Sequence, residues 1–349
     1  MRLDLSLGYW GPGAAPSWLP LVEVAERLGF GVVWAAEAYG SDAVTVLSWV
    51  AARTERIGIG SAVLQIPGRT PALTAMTAAS LDALAGGRFR LGLGVSGPQV
   101  SEGWHGVRFD APLARTREYV DIVRLALARQ PLSYAGVHYR LPLPGGAGKP
   151  LKLTIRPPRD GIPIYLAAVG PRSLELVGEV AEGWLALFYA PEHAAPEMAR
   201  LAAGRQRAGR TGDPSLDVVA TVPIVAGDDP AAIEPVRRHA ALYLGGMGSR
   251  DRNFYAELAR RRGFGAAVDV VQDLYLGGQP AAAAAAVPQE FLDSTALLGG
   301  RERVAERLAT YAESGVTAIA LAPLAGTMEG RIAAVRLAAE ALDHAGVAE

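Results

Sequence analysis

Cysteine is absent from the 349 residues, which removes disulfides, thiolate metal ligands and a catalytic thiol together. No long run of lysine or arginine occurs and the formal net charge is −1, so neither nucleic acid nor a membrane surface suggests itself as a partner. No apolar run approaches the roughly 20 residues of a membrane-spanning helix. The opening "MRLDLSLGYW" alternates like a strand and lacks a signal-peptide apolar region. The default expectation is a soluble cytoplasmic protein. Histidines 105, 138, 193, 239 and 344 show no metal-ligand spacing, and HExxH, GxSxG and paired-carboxylate patterns are missing. No metal is expected.

What is present is hydrophobic material, half of all residues, enough for one large core or two ordinary domains. One punctuation recurs: an amphipathic helical stretch ends at glycine and a short β-rich apolar run follows. In "SWLPLVEVAERLGFGVVWAAEAY", Ser17 can cap a helix, Leu21, Val24, Ala25 and Leu28 share a face, and Gly29 stops it. In "RTPALTAMTAASLDALAGGRFRLGLGV", Thr70 and Pro71 suit the N-cap and first helical position, and Leu73, Met76, Thr77, Ser80, Leu81 and Leu84 form a stripe. Strands are expected near 3–9, 32–38, 57–66, 89–95, 163–169, 184–188, 217–226 and 317–323.

Most of these are near-continuous apolar runs, the mark of parallel strands covered on both faces. Eight β/α units predict a (β/α)8 TIM barrel, usually about 250 residues plus insertions; a doubly wound open sheet is the alternative. The expected organisation is one domain over 1–349. A Pro- and Gly-rich hairpin insertion is expected near 130–160, and a helical insertion, with an alanine run at 281–286, near 243–296.

Residues 92–97, "GLGVSG", spell the G-x-G-x-x-G of a dinucleotide-binding turn. That turn belongs in the first βαβ unit, opens a helix directly and has an acidic residue about 20 positions on. Here three units precede it, and "PQVSEGWHGVRFDAPL" reads as a loop with the next helix starting near Leu113. The glycines are therefore expected to pack at the end of a barrel strand, where a small loop still borders the functional face. "AAVGPRS" at 167–173 delivers a small-residue turn into a helix with Pro171 first and Arg172 in its first turn, either an anion site or an ordinary βα loop. Ser61-Ala62-Val63 fits a bulge under a flat ring or plain packing. Glu37 ends an apolar strand at the C-terminal rim, as a site carboxylate or a salt-bridged one. Trp104 and His105 lie in a Gly-bounded loop above strand four, His105 being a substrate contact or a structural residue. Arginines 260–262 are expected on a solvated helix face.

The stretch from "EAYGSDAVTVLSWV" through "GLGVSGPQVSEGWHG", with "LARTREYV", "GKPLKL", "IPIYLAAVGPRSLEL" and "AEGW", resembles the luciferase-like monooxygenase superfamily. It is most similar to the branch dependent on the deazaflavin coenzyme F420. The resemblance implies a flavin-like ring at the mouth of a (β/α)8 barrel and a non-prolyl cis peptide behind it, within Ser61-Ala62-Val63. It implies a phosphate-bearing tail near Gly94, Val95 and Ser96 and near Ala168, Val169, Gly170, Pro171 and Arg172. Glu37, Glu102 and His105 are the candidate polar groups around the ring. The implied activity is hydride transfer to or from a small organic substrate. FMN with a partner reductase in a monooxygenase is the alternative, and a non-catalytic flavin-binding barrel the second. The likeness also implies a homodimer.

Overall fold

A computed structural model describes residues 1–8, 10, 18–227 and 229–348. Eight parallel strands occupy the expected runs: β1 Arg2–Ser6, β2 Val32–Ala35, β3 Gly58–Ser61, β4 Phe89–Gly94, β5 Ile164–Ala167, β6 Gly183–Leu187, β7 Asp217–Ala226 and β8 Ala318–Pro323. Consecutive strands pair in order, and β8 returns to β1 with Ile319 beside Leu3. The sheet closes on itself. The fold is a (β/α)8 barrel, and the doubly wound alternative falls.

Successive side chains of a strand point opposite ways. Val33, Ile164, Leu166, Val218 and Ile319 join the outer core beneath the helices, whereas Val32, Trp34, Tyr165, Leu185, Val219 and Ala320 pack together inside the barrel. Glycine makes room for the two large inner rings. A methyl added at Gly60 would lie 2.4 Å from the Trp34 ring, and one at Gly183 would lie 2.1 Å from the Tyr165 ring.

The helices are α1 Leu19–Arg27, α2 Ala43–Ala51, α3 Pro71–Leu84, α4 Pro98–Gly103, α5 Pro112–Leu127, α6 Pro171–Val180 and α7 Ala194–Arg207. After them come α8 Pro230–Ala241, α9 Phe254–Arg261, α10 Gly265–Leu276, α11 Pro280–Ala285, α12 Gln289–Thr295, α13 Arg301–Glu313 and α14 Met328–Ala345. Leu21, Val24 and Ala25 of α1 are buried as expected, and Gly29 ends the turn at φ +80°. Ser17, the expected cap, lies outside the described residues. The Pro-rich stretch carries a short antiparallel pair, Tyr134–Ala135 with Arg140–Leu141, and α9 to α12 make the helical excursion after β7.

Two expectations are corrected. Of the stripe on α3, Leu81 packs inward, but Leu73, Met76 and Leu84 are 44, 53 and 68% exposed. The face that packs inward joins Leu81 to Thr74, Ala75, Ala78 and Ala79, because small side chains let the helix sit close. Thr70 does cap α3, accepting from Leu73 N at 3.2 Å. The segment after Gly97 is not all loop either. It forms α4 at once, with Pro98 at the first helical position. Six residues are too few to carry a readable helical period.

Candidate active site

The mouth of a (β/α)8 barrel lies at the C-terminal ends of its strands. There β3 leaves its neighbour. Ile59 and Gly60 pair with Phe89 and Arg90, pairing then pauses, and Leu64 and Gln65 resume it against Leu93 and Gly94. Ser61 covers the interruption with its hydroxyl, which donates to Gly92 O and accepts from Gly92 N, both at 2.9 Å. The Ala62–Val63 peptide is cis.

This step leaves a floor of small apolar groups. Ala62, Val63 and Ala167 are half-buried on top of the inner core. Gly94 lies among them: a methyl there would sit 2.5 Å from Val63 Cγ2 and 3.8 Å from the Ala167 methyl. Beyond Gly94, Ser96 adopts φ +61°, which turns the chain off the strand toward α4. Val95 and Ser96 are half-buried at this turn.

The rim above β2 to β4 is polar and tied together. Glu37 pairs with Arg69 at 3.0 Å and accepts from Ala43 N at 3.3 Å, while Arg69 also meets Asp42 at 2.7 Å. Glu37 is thus a salt-bridged carboxylate. Glu102 is exposed and accepts from Phe109 N at 3.0 Å, which ties α4 to the loop after it. His105 lies over Gly68, where an added methyl would stand 3.0 Å from its Cε1. Its Nε2 is 3.3 Å from Gln65 Oε1, and the Gln65 amide donates to Ala38 O at 2.9 Å. So Glu37 and His105 belong to one rim on β2, β3 and the β4 loop, with Glu102 on its outer side.

Gln65 is the residue that sequence reasoning missed. It is buried, an amide inside the apolar run Val63–Pro67, and that interruption was the available signal. Among the described residues no cluster of three or more His, Asp and Glu could hold a metal, and no helix is long and apolar enough to cross a membrane.

On the β5 side, Ala168 is buried and Val169 and Gly170 are half-buried, with Pro171 and Arg172 exposed at the start of α6. Ser173 Oγ accepts from Gly170 N at 3.1 Å and returns a bond to Gly170 O at 2.8 Å. The cap thereby takes one donor that an anion would use.

Residues 11–318 match the luciferase-like monooxygenase family model. The chain belongs to this family. A Mycobacterium tuberculosis protein, provisionally named a coenzyme F420-dependent oxidoreductase, is 45% identical over 91% of this chain and 93% of its own. A 5,10-methylenetetrahydromethanopterin reductase of Methanolobus tindarius is 34% identical over 57% of this chain and 58% of its own. Among solved structures, the coenzyme F420-dependent tetrahydromethanopterin reductase of Methanopyrus kandleri superposes with TM-score 0.82 at 23% identity, over 98% of this chain and 99% of that one.

In this luciferase-like barrel the helical excursion is stapled to the mouth, which corrects in part the reading of arginines 260–262 as a solvated face: Arg261 is exposed, whereas Arg262 is not. Arg261 donates to Val169 O at 2.9 Å; Arg262, almost fully enclosed, holds Phe188 O and pairs with Glu197 at 2.8 Å. Arg260 binds Asp269 and Gln272 within the excursion. Each spends its charge on a partner. His239 sits in the same seam beside Phe188 and Tyr243, with ring centroids 5.9 and 4.8 Å away. Burial pushes its pKa down to about 4, so it stays neutral at physiological pH.

Proposed function

We propose that this chain is a cytoplasmic, coenzyme F420-dependent oxidoreductase moving hydride between the deazaflavin carbon C5 and a small organic substrate. The observation that carries the reading is the small apolar floor of Ala62, Val63 and Ala167 around Gly94. It fits the face of a flat ring, because it asks for no hydrogen bond and Gly94 has no methyl to lift the ring. The F420-dependent name of the 45% identical relative agrees with it.

In this reading Ser61, Ala62 and Val63 back the ring. Gly94, Val95 and Ser96 flank the tail, and Ala168, Val169, Gly170, Pro171 and Arg172 receive its phosphate, Arg172 supplying an exposed guanidinium. When bound, the deazaflavin supplies a carbon centre for hydride. The chain's own groups do the rest. The floor and the excursion exclude water from the ring face, and His105 takes or gives the substrate proton. Glu37 fixes Arg69, and Glu102 fixes the rim loop.

Parallel anaerobic titrations with F420 and FMN, followed by fluorescence quenching and thermal shift, test this. F420 binding in the micromolar range is expected, with FMN at least about tenfold weaker, roughly 1.4 kcal/mol. Preference for FMN, with oxygen consumed in the presence of a flavin reductase, would overturn it in favour of a monooxygenase. Binding neither would leave a non-catalytic barrel.

The active form is a homodimer in this proposal, joined through the outward face of α3. Leu73, Met76 and Leu84 form an exposed apolar row there with Thr77 and Ser80 between them. Light scattering after gel filtration is expected to give twice the chain mass for the parent protein and one chain mass for Met76→Glu. A monomeric parent protein would refute the pairing.

A further inference from the structure

Gln65 has an orientation that the structure leaves no freedom to invert. Its Nε2 lies 2.9 Å from Ala38 O. A carbonyl oxygen only accepts, so the amide must present its NH2 group there and its Oε1 to His105. Oε1 in turn only accepts, so the contact at 3.3 Å requires a proton on His105 Nε2. A neutral imidazole with hydrogen on Nε2 has a bare lone pair on Nδ1. His105 is half-exposed, and Nδ1 has no partner among the described residues.

Gln65 is itself held firmly. It is 3% exposed and belongs to the short strand segment that re-pairs with β4 beyond the cis peptide, opposite Gly94. The piece of backbone that forms the floor therefore also carries the amide that orients the histidine. Gly68, three residues on, lies against the Cε1 edge of the same ring. A side chain there would lift the ring off its partner.

We propose that Gln65 is a positioning residue that locks His105 in its Nε2–H tautomer, leaving Nδ1 as the atom that exchanges the substrate proton. This rests on the reading of the mouth as a hydride-transfer site. In the oxidising direction a substrate hydroxyl gives its proton to Nδ1 as its carbon loses hydride to the hydride acceptor, and the C–O bond becomes C=O. The reverse reaction returns the same proton from the imidazolium.

Long-range ¹H–¹⁵N correlation spectra of histidine-labelled protein, taken where the ring is neutral, read the tautomer without turnover. The His105 signals are assigned by their loss in His105→Asn. The parent protein is expected to show the Nε2–H pattern. Gln65→Met is expected to show a mixture of tautomers, with kcat lowered about 10- to 100-fold and KM changed less than about threefold, within the range of general acid–base catalysis. Gly68→Ala keeps both side chains and puts a methyl 3.0 Å from Cε1, so the same spectral mixing is expected there. It answers the question even if Gln65→Met does not fold. A proton on Nδ1 in the parent protein, or an unmixed Nε2–H pattern in the variants, would overturn the proposal. An active Gln65→Met enzyme with unchanged kcat would do so too. The F420 titration fails or succeeds separately, since the tautomer is read on the protein alone.

Discussion

Gly92→Ala is expected to unfold at a far lower temperature than the parent protein and to lose the shape of the apolar floor at the mouth. Gly92 occupies the inner face of β4 at the level where β3 peels away. A methyl there would lie 1.8 Å from Ser61 O, 3.0 Å from Ser61 C and 2.8 Å from Leu185 Cδ1. No rotamer change relieves a clash with backbone, so the Ser61 carbonyl must move. Ser61 also holds both polar backbone groups of Gly92 through one hydroxyl, and movement breaks two buried hydrogen bonds. A cost above about 4 kcal/mol is expected, from overpacking and lost bonds together. Gly103→Ala is the control: that glycine has open space around it and sits in α4, so its stability is expected to stay within about 0.5 kcal/mol of the parent or rise slightly. Thermal melts followed by circular dichroism decide it. Equal melting of both variants would mean that the backbone at 61–63 relaxes freely and that the floor is not a fixed surface.

The barrel was legible because parallel strands are buried on both faces and spell continuous apolar runs, so all eight were found. Their ends were less so. The run from Val32 stays apolar through Ala36, one residue past Ala35, where β2 stops, and Ala38 follows Glu37. On α3 periodicity gave a face but not its direction. Leu73, Met76 and Leu84 look like a core stripe, yet the alanine side packs against the barrel. Hydrophobicity ranks large side chains first, whereas close packing here selects small ones. In the candidate site, the local signals survived: Ser61-Ala62-Val63 does form the step, and Gly94 lies on its floor. The pairing of His105 with Gln65 spans 40 residues, and that of Arg2 with Asp217 spans 215. The first follows from the pairing of the β3 segment with β4 and the second from closure of the barrel, and no local spacing encodes either.

Closing the bottom of that barrel is a charged network, and Arg2→Met is expected to cost about 3–5 kcal/mol at pH 7, the usual result of removing one partner from a buried ion pair. Arg2 bonds Asp4 at 3.1 Å and grips Asp217 through two nitrogens at 2.6 and 3.1 Å. Asp4 has no exposed surface and its second oxygen accepts from Trp34 Nε1 at 2.9 Å. Asp217 also accepts from Tyr165 at 2.7 Å and from Thr317. The two carboxylates are pushed opposite ways. Burial raises the Asp4 pKa, and Arg2 and Trp34 offset it in part. Burial works upward on Asp217 as well, but the bonds from Arg2, Thr317 and Tyr165 outweigh it and hold that pKa below the usual range. Asp217 therefore adds stability that is present above its unfolded pKa near 3.9 and is lost as pH falls through the lower folded value. Asp4 has the opposite sign: its contribution is complete below the unfolded pKa and is lost as pH rises through the folded one. Without Arg2 the Asp4 charge has no cation beside it and protonates more readily than in the parent protein, so the variant is expected to regain stability as pH is lowered from neutral. Asp4→Asn on the Arg2→Met background removes that charge at every pH and is expected to recover about half of the loss, with a flatter pH profile. Denaturant melts of the parent, both single variants and the double variant between pH 5 and 8 measure the coupling. If Arg2→Met and the double variant are equally unstable and equally flat with pH, the guanidinium closes the barrel by filling space and not by compensating Asp4.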